Sequence, residues 1–295
     1  TSGAWTAVGV AAMTARILGG TAEIIHEAAG IGEYHGPRSQ MMRCIDYPTM
    51  VRDGVGWGSP TGVTAGYLAI NYFTGAPALT CQGPHWDGLG DIWALVRDTH
   101  YKPYPCCRWA HPSIDAAAEL MANHNLSHED ISNVEIKTFH NATRLAGHTP
   151  ANPDEFAYSI AFPVACMVVR GQVGVSELEN SVLQDADILR ISKATRLIDD
   201  PHLTQISKSK RWAQVSILMK DGTRHEAAPR TPRGDTDLPL SDADISQKFH
   251  LFTDPILGVS RANKIETLCS RFDQLDATGV QMLLDQLFFK PALQS

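Results

Sequence analysis

The sequence lacks the features that mark several large functional classes. Nowhere in its 295 residues do lysines and arginines cluster, and 25 of them stand against 32 acidic residues, for a formal charge of -7. A general nucleic-acid binder needs a cationic face to neutralise phosphates, so that class is excluded. Apolar runs are broken by charge or glycine well short of the ~20 residues of a bilayer span, so no membrane helix is expected. Cysteine is sparse, six in all, and two of these are the neighbours Cys106 and Cys107. That distribution does not build a disulfide framework and points to free thiols in a reducing compartment. The first residues carry neither a cationic start nor a cleavage-type signal.

Common catalytic and cofactor motifs are missing too. Gly54, Gly56 and Gly58 make a glycine-rich stretch, but no Gly-Lys-Ser/Thr follows to cradle phosphate. A preceding strand and a following acidic residue, which a dinucleotide fold requires, are absent as well. His124 and His128 have the four-residue spacing of zinc ligands, yet the break at Leu126-Ser127 places them at a helix end. Adjacent cysteines diverge and cannot clamp a cluster. There is no Gly-x-Ser-x-Gly elbow. Thr1 as an N-terminal nucleophile would need an activating base that cannot be named, and a helix follows it at once. No metal site is expected.

What remains is an ordinary globular mixture, 43% hydrophobic and 19% charged, sufficient for a sizeable core. Residues 5–18 read as a small-residue helix, with Val8, Ala11, Ala12, Ala15 and Leu18 at three- and four-residue spacing. Gly19-Gly20 end it, and Thr21 caps a second helix over 22–29, with Glu23 in its first turn. Helical pattern returns at 64–72 and stops at the turn 73–77. From about residue 99 the character changes. A helix over 113–124 precedes an alternating strand over 134–139. A helix over 159–169 follows, then a strand over 213–220, the hairpin signal Asp221-Gly222 and a returning strand over 223–227. Residues 229–239 read as a loop. Helices resume at 241, capped by Ser241 or Asp242, and 275–289 closes the chain as an apolar helix.

One segment stands out: Tyr101-Lys102-Pro103-Tyr104-Pro105-Cys106-Cys107-Arg108-Trp109-Ala110-His111-Pro112-Ser113-Ile114-Asp115-Ala116. Its prolines stiffen the backbone around Lys102, and Pro112 suits a helix start. A lysine, a thiol and an imidazole held near a helix N-terminus make a good place for an anionic substrate. The alternative is a structural inter-domain loop whose histidine merely caps the helix.

This segment strongly resembles the signature of the MmgE/PrpD family, which includes 2-methylcitrate dehydratase, cis-aconitate decarboxylase and iminodisuccinate epimerase. Residues 54–75, 156–171, Asp221-Gly222 and 232–249 resemble further family blocks in the same order. The resemblance implies a fold of class α plus α+β, in which a large helical domain (1–98) is interrupted by a smaller α+β lid domain (99–245). Helices in 246–295 would rejoin the helical domain. Family members carry a further helical stretch ahead of the position of Thr1, and it supplies an Asp and a His of the active site. The resemblance therefore implies that a front segment belongs with this chain, as part of a longer protein or as a separate polypeptide.

Site residues follow one by one from the resemblance. Lys102 matches the active-site lysine and His111 the histidine of the signature block. Cys107 sits where some members place a histidine, and Ser159 matches a position lining the substrate cleft. Arg52 stands near a second family lysine; it keeps the carboxylate-binding charge but cannot readily exchange a proton. The implied activity is a cofactor-free carbon–oxygen lyase acting on a small di- or tricarboxylate, most like 2-methylcitrate dehydratase. Decarboxylation and epimerisation within the same family are alternatives, as is a non-catalytic subunit that needs an N-terminal partner. Lys102 would bind or protonate the substrate, Arg52 would clamp a carboxylate, and His111 would orient the substrate or shuttle a proton. A homodimer is implied, with no nucleic-acid or membrane partner, in the cytoplasm or, in a eukaryote, the mitochondrial matrix.

Overall fold

The structure, a computed structural model, describes residues 5–52, 54–88 and 90–288. Thr1 and Phe289, both named above, lie outside them. The chain forms two compact units, one of residues 5–99 with 104–232, the other of 100–103 with 233–288. The fold is mostly helical with one small mixed sheet. Among the described residues no helix is long and apolar enough to cross a membrane.

The first unit begins with helices α1 (Thr6–Ile17), α2 (Ala22–His35) and α3 (Val55–Ile70). Thr21 caps α2 as expected, its hydroxyl accepting from the Ile24 N–H at 3.4 Å. The helix then runs past the expected end at residue 29 to His35. Likewise α3 starts at Val55, nine residues before the local pattern suggests. Both differences have one cause. Glycine is a poor helix former in isolation, but here it lets the helices approach closely, and packing outweighs propensity. A Cβ on Gly62 would lie 2.6 Å from the Ala7 carbonyl oxygen, and one on Gly66 would lie 2.6 Å from Thr14 Cβ. Ala11, Ala15, Ala28, Ala65 and Ala69 fill the rest of that interface. The outward side of α3 has no charged residue and exposes Trp57 and Tyr67.

The larger core of this unit surrounds a four-stranded sheet of order β2-β1-β3-β4. It is built from β1 (Ile131–Thr138), β2 (Thr195–Asp199), β3 (Ala213–Met219) and β4 (Arg224–Glu226). β1 pairs parallel to β2 and antiparallel to β3, and β3 pairs antiparallel to β4. The expected hairpin is present, with Gly222 at φ +91 in its turn. β2 was not anticipated from the sequence. It is a five-residue edge strand, and a parallel partner needs a long crossover rather than a local turn signal. That crossover includes α5 (Pro153–Ala157), α6 (Ala161–Arg170) and α7 (Ala186–Ala194). Before β1 lies α4 (His111–His124), ended by Asn125 in the left-handed conformation. Val134 and Ile136 of β1, and Val215 and Ile217 of β3, are buried in the core that α7 and α4 cover respectively. The opposite face is polar, with Arg224 reaching Glu135 at 2.7 Å and Ser216 donating to Glu226 at 2.7 Å.

The second unit consists mainly of α8 (Asp242–Leu257), α9 (Val259–Cys269) and α10 (Ala277–Phe288). Ser241 and Asp244 cap α8 reciprocally. Ile265, Leu268 and Leu283 form its small core, with Phe249, Leu257 and Leu275 packed on it. His250 bridges α8 to α9, its Nδ1 2.8 Å from Asp254 and its Nε2 3.0 Å from Glu266.

Two outcomes are expected. Gly66→Val should destabilise the first unit by about 1–3 kcal/mol, read as a Tm lower by several degrees. Gly9→Ala, where an added Cβ meets nothing within 4 Å, should leave Tm unchanged or slightly raised. The second outcome concerns pH. Hydrogen bonds that His250 donates to the Asp254 and Glu266 carboxylates raise its pKa above the ordinary histidine value. The raised value means a contribution fully present at acid pH and lost as pH climbs through the folded pKa. Stability of the second unit should therefore fall as pH rises above the ordinary histidine range, and His250→Gln should flatten that slope.

Candidate active site

The turn 104–111 places the signature residues of the first unit. Cys107 N–H donates to the Ala157 carbonyl at 2.7 Å, which ties this turn to the end of α5. His111 does not precede its helix as expected but is its first residue, followed by Pro112. Proline is tolerated in a first turn because the N–H it lacks would have no helical partner there. The His111 ring is 1% exposed. Its Nε2 donates to the Cys106 carbonyl at 3.2 Å, and the ring stands edge-on to Tyr104 with centroids 5.2 Å apart. Tyr104 in turn donates its hydroxyl to Asp115 at 2.6 Å, both groups being buried. Asp115 lies one turn beyond His111 on α4, so one helix face carries both. Sequence reading missed Tyr104 and Asp115 as partners, although their positions on either side of His111 are visible in the signature itself.

Ser159 is fully buried, and its hydroxyl donates to the Phe156 carbonyl at 3.0 Å. It does not open the helix, which begins at Ala161. The backbone is still turning at Ser159, because the Ile160 N–H bonds the Leu145 carbonyl at 2.8 Å. Gly147, at φ +43, packs directly on the Ser159 side chain, and no residue with a Cβ would fit there. Arg52 comes to the same segment from the other side. Its Nε donates to Asp154 at 2.9 Å, its Nη2 bonds the same oxygen, and its guanidinium lies 5.9 Å from the centre of the Tyr158 ring. Arg144 makes a similar bond to Asp46, Nε to Oδ1 at 2.8 Å, fixing the short helix Met42–Asp46 that leads toward Arg52.

Four of the five expected residues thus lie in the first unit, where Cys107 and Arg52 touch the segment 154–159 that contains Ser159. Cys107 bonds Ala157, Arg52 holds Asp154 and covers Tyr158, Ser159 follows, and His111 lies one turn from Cys107. Lys102 belongs to the second unit. Its segment is held there at three consecutive residues. His100 Nδ1 sits 2.9 Å from the buried Asp235, Tyr101 N–H donates to the Gly234 carbonyl at 2.9 Å, and the Lys102 carbonyl accepts from the Lys248 ammonium. Gly234 has φ +92, and its missing side chain makes room for the Tyr101 carbonyl. Lys248 escaped the sequence reading, since a lysine within an amphipathic helix reads as surface.

All six cysteines are free thiols; Cys106 and Cys166 are buried, and burial raises the Cys166 thiol far above its ordinary value. His124 and His128 do not converge on a metal: His124 faces the His225 ring at 4.2 Å. Among the described residues no group of three or more His, Cys, Asp or Glu side chains could hold a metal ion.

The buried Tyr104–Asp115 bond braces the helix start that carries His111. Tyr104→Phe should cost about 1–2 kcal/mol, seen as a lower midpoint in urea unfolding. The unfolding slope should not change.

The family model for the MmgE/PrpD C-terminal domain matches residues 104–274, beginning just after Lys102. No curated protein matches the chain. The matched stretch holds His111, Cys107, Ser159 and Lys248 and covers more than half of the sequence; the chain belongs to the MmgE/PrpD family, whose enzymes are of the dehydratase or lyase type.

Proposed function

We propose that this protein is a lyase acting on a small di- or tricarboxylate, most like 2-methylcitrate dehydratase, and that Lys102 is its principal substrate-binding cation. The observation that carries this reading is the state of Lys102. It is exposed, resembles the family's active-site lysine in its signature context, and forms no ion pair with a carboxylate among the described residues. A cation that the protein does not neutralise is available to an anionic ligand.

The chemistry follows from the substrate class. A C–H beside a carboxylate becomes acidic only if the charge that develops on that carboxylate is stabilised as the proton leaves. Lys102 supplies a positive charge for this, and its ammonium can also deliver a proton to a departing hydroxyl. Arg52 contributes differently. Its fork already binds a carboxylate, that of Asp154, so a substrate carboxylate would have to compete with or share that partner. His111, buried with Nε2 committed to the Cys106 carbonyl, fits the orienting role better than proton shuttling. Ser159 shapes the turn rather than donating to a ligand, because its hydroxyl is spent on Phe156. Dehydration, decarboxylation and epimerisation differ in the fate of the same carbanion-like intermediate. Product identity separates them.

The test is incubation with a panel of hydroxylated and unsaturated tricarboxylates in deuterated water, followed by NMR of substrate and product. Dehydration is expected, with deuterium appearing at the acidified carbon of recovered substrate wherever reprotonation competes with loss of the hydroxyl, and Lys102→Ala should lower turnover about 100-fold or more. Full turnover in Lys102→Ala would remove the assignment of Lys102. A wild-type protein that neither turns over nor exchanges any of these acids would overturn the reading as a whole.

A further inference from the structure

We propose that Lys248 is a second anion-binding residue beside Lys102, so that the second unit selects ligands carrying at least two carboxylates over those with one. This deepens the carboxylate-lyase reading and rests on it.

Three observations support the assignment. First, the Lys248 ammonium donates to the backbone carbonyl of Lys102 itself. α8 thereby delivers a second positive charge to the residue that the signature block singles out. Second, the pair is not offset from within. Among the described residues neither lysine forms an ion pair with a carboxylate. The acidic groups nearby are engaged elsewhere: Asp235 with His100, Asp244 with Arg233 and Ser241, Asp254 and Glu266 with His250. Third, the cost of this arrangement is visible in Lys248. Burial, and then the charge of Lys102, hold its ammonium below the ordinary lysine value. The Phe252 ring, 5.7 Å away, offsets part of that cost through its negative face.

A purely structural lysine at this position would be better served by a nearby acid, or replaced by an apolar residue packing on Phe252. A half-buried ammonium beside a second one is a poor way to stabilise a helix. It is a good way to receive a dianion. Each carboxylate would relieve one uncompensated charge, and the bond to the Lys102 carbonyl holds the Lys248 ammonium beside the Lys102 backbone before a ligand arrives. A monocarboxylate would satisfy only one of the two.

Calorimetric titration of the full chain with tricarballylate, a tricarboxylate that has no hydroxyl to lose, tests this, with butyrate as the single-carboxylate comparison. Lys248→Gln should weaken tricarballylate binding roughly tenfold and leave butyrate binding unchanged. Lys248→Arg should restore most of the loss. The pH dependence supplies a readout that a structural role would not move. Because the Lys248 value is lowered, wild-type affinity should fall at a lower pH than an ordinary lysine would allow. Lys248→Arg should push that alkaline limb upward, since guanidinium stays charged. Equal tricarballylate affinity in wild type and Lys248→Gln, or equal losses for tricarballylate and butyrate, would overturn the role of Lys248 while leaving the carboxylate reading in place. A flat wild-type titration with tricarballylate would overturn both.

Discussion

The hydrogen bond from Cys107 N–H to the Ala157 carbonyl joins two segments that are fifty residues apart in sequence, and the arrangement of the first unit's site depends on it. One side of the bond leads to His111 and the start of α4. The other leads through Tyr158 to Arg52 and through Ser159 to α6. The bond is short, at 2.7 Å, and its surroundings are dry: Cys106, Ala110, Phe156 and Ile160 are all buried. In such an environment an unmade backbone bond is expensive, so the two segments are held in register strongly. Pro103, Pro105 and Pro112 reduce the freedom that this single bond must overcome.

Local signals were legible in the sequence and distant ones were not. Thr21 and Ser241 were readable as caps because a cap is a side chain bonding its own next turn. Asp221-Gly222 was readable as a hairpin because the turn dictates its backbone, and Gly222 has the positive φ that this requires. The early start of α3 was hidden because glycine opposes a helix locally and favours this one only through α1. β2 was hidden because its pairing with β1 is parallel and separated by several helices. Among site residues, His111 and Lys102 were visible through the signature, while the Tyr104–Asp115 brace and the Lys248 contact exist only once the chain is folded. At Ser159 the structure shows the close approach of Gly147, which spacing alone does not reveal.

Arginine and lysine divide the work in this chain. Arginines pair with the protein's own acids: Arg52 with Asp154, Arg144 with Asp46, Arg224 with Glu135, Arg230 with Glu119, Arg233 with Asp244. Their forks suit fixed carboxylate geometry and make them fasteners between segments. Exposed pairs of this kind add little stability individually, but each fixes where a loop lies. Lys102 and Lys248 have no carboxylate partner among the described residues.

That contrast matters because the protein as a whole is acidic, at -7. Its long-range field repels a polycarboxylate and cannot be what draws one in, and salt screens that field within about 10 Å in any case. Recognition of such a ligand has to be local and at short range, where a few uncompensated cations outweigh the distant negative charge. Lys248 donates to the backbone carbonyl of Lys102, so this segment brings together two lysines with no carboxylate partner among the described residues. On the proposed reading, a ligand with two carboxylates would offset the general repulsion at both lysines, and one with a single carboxylate would offset it at only one.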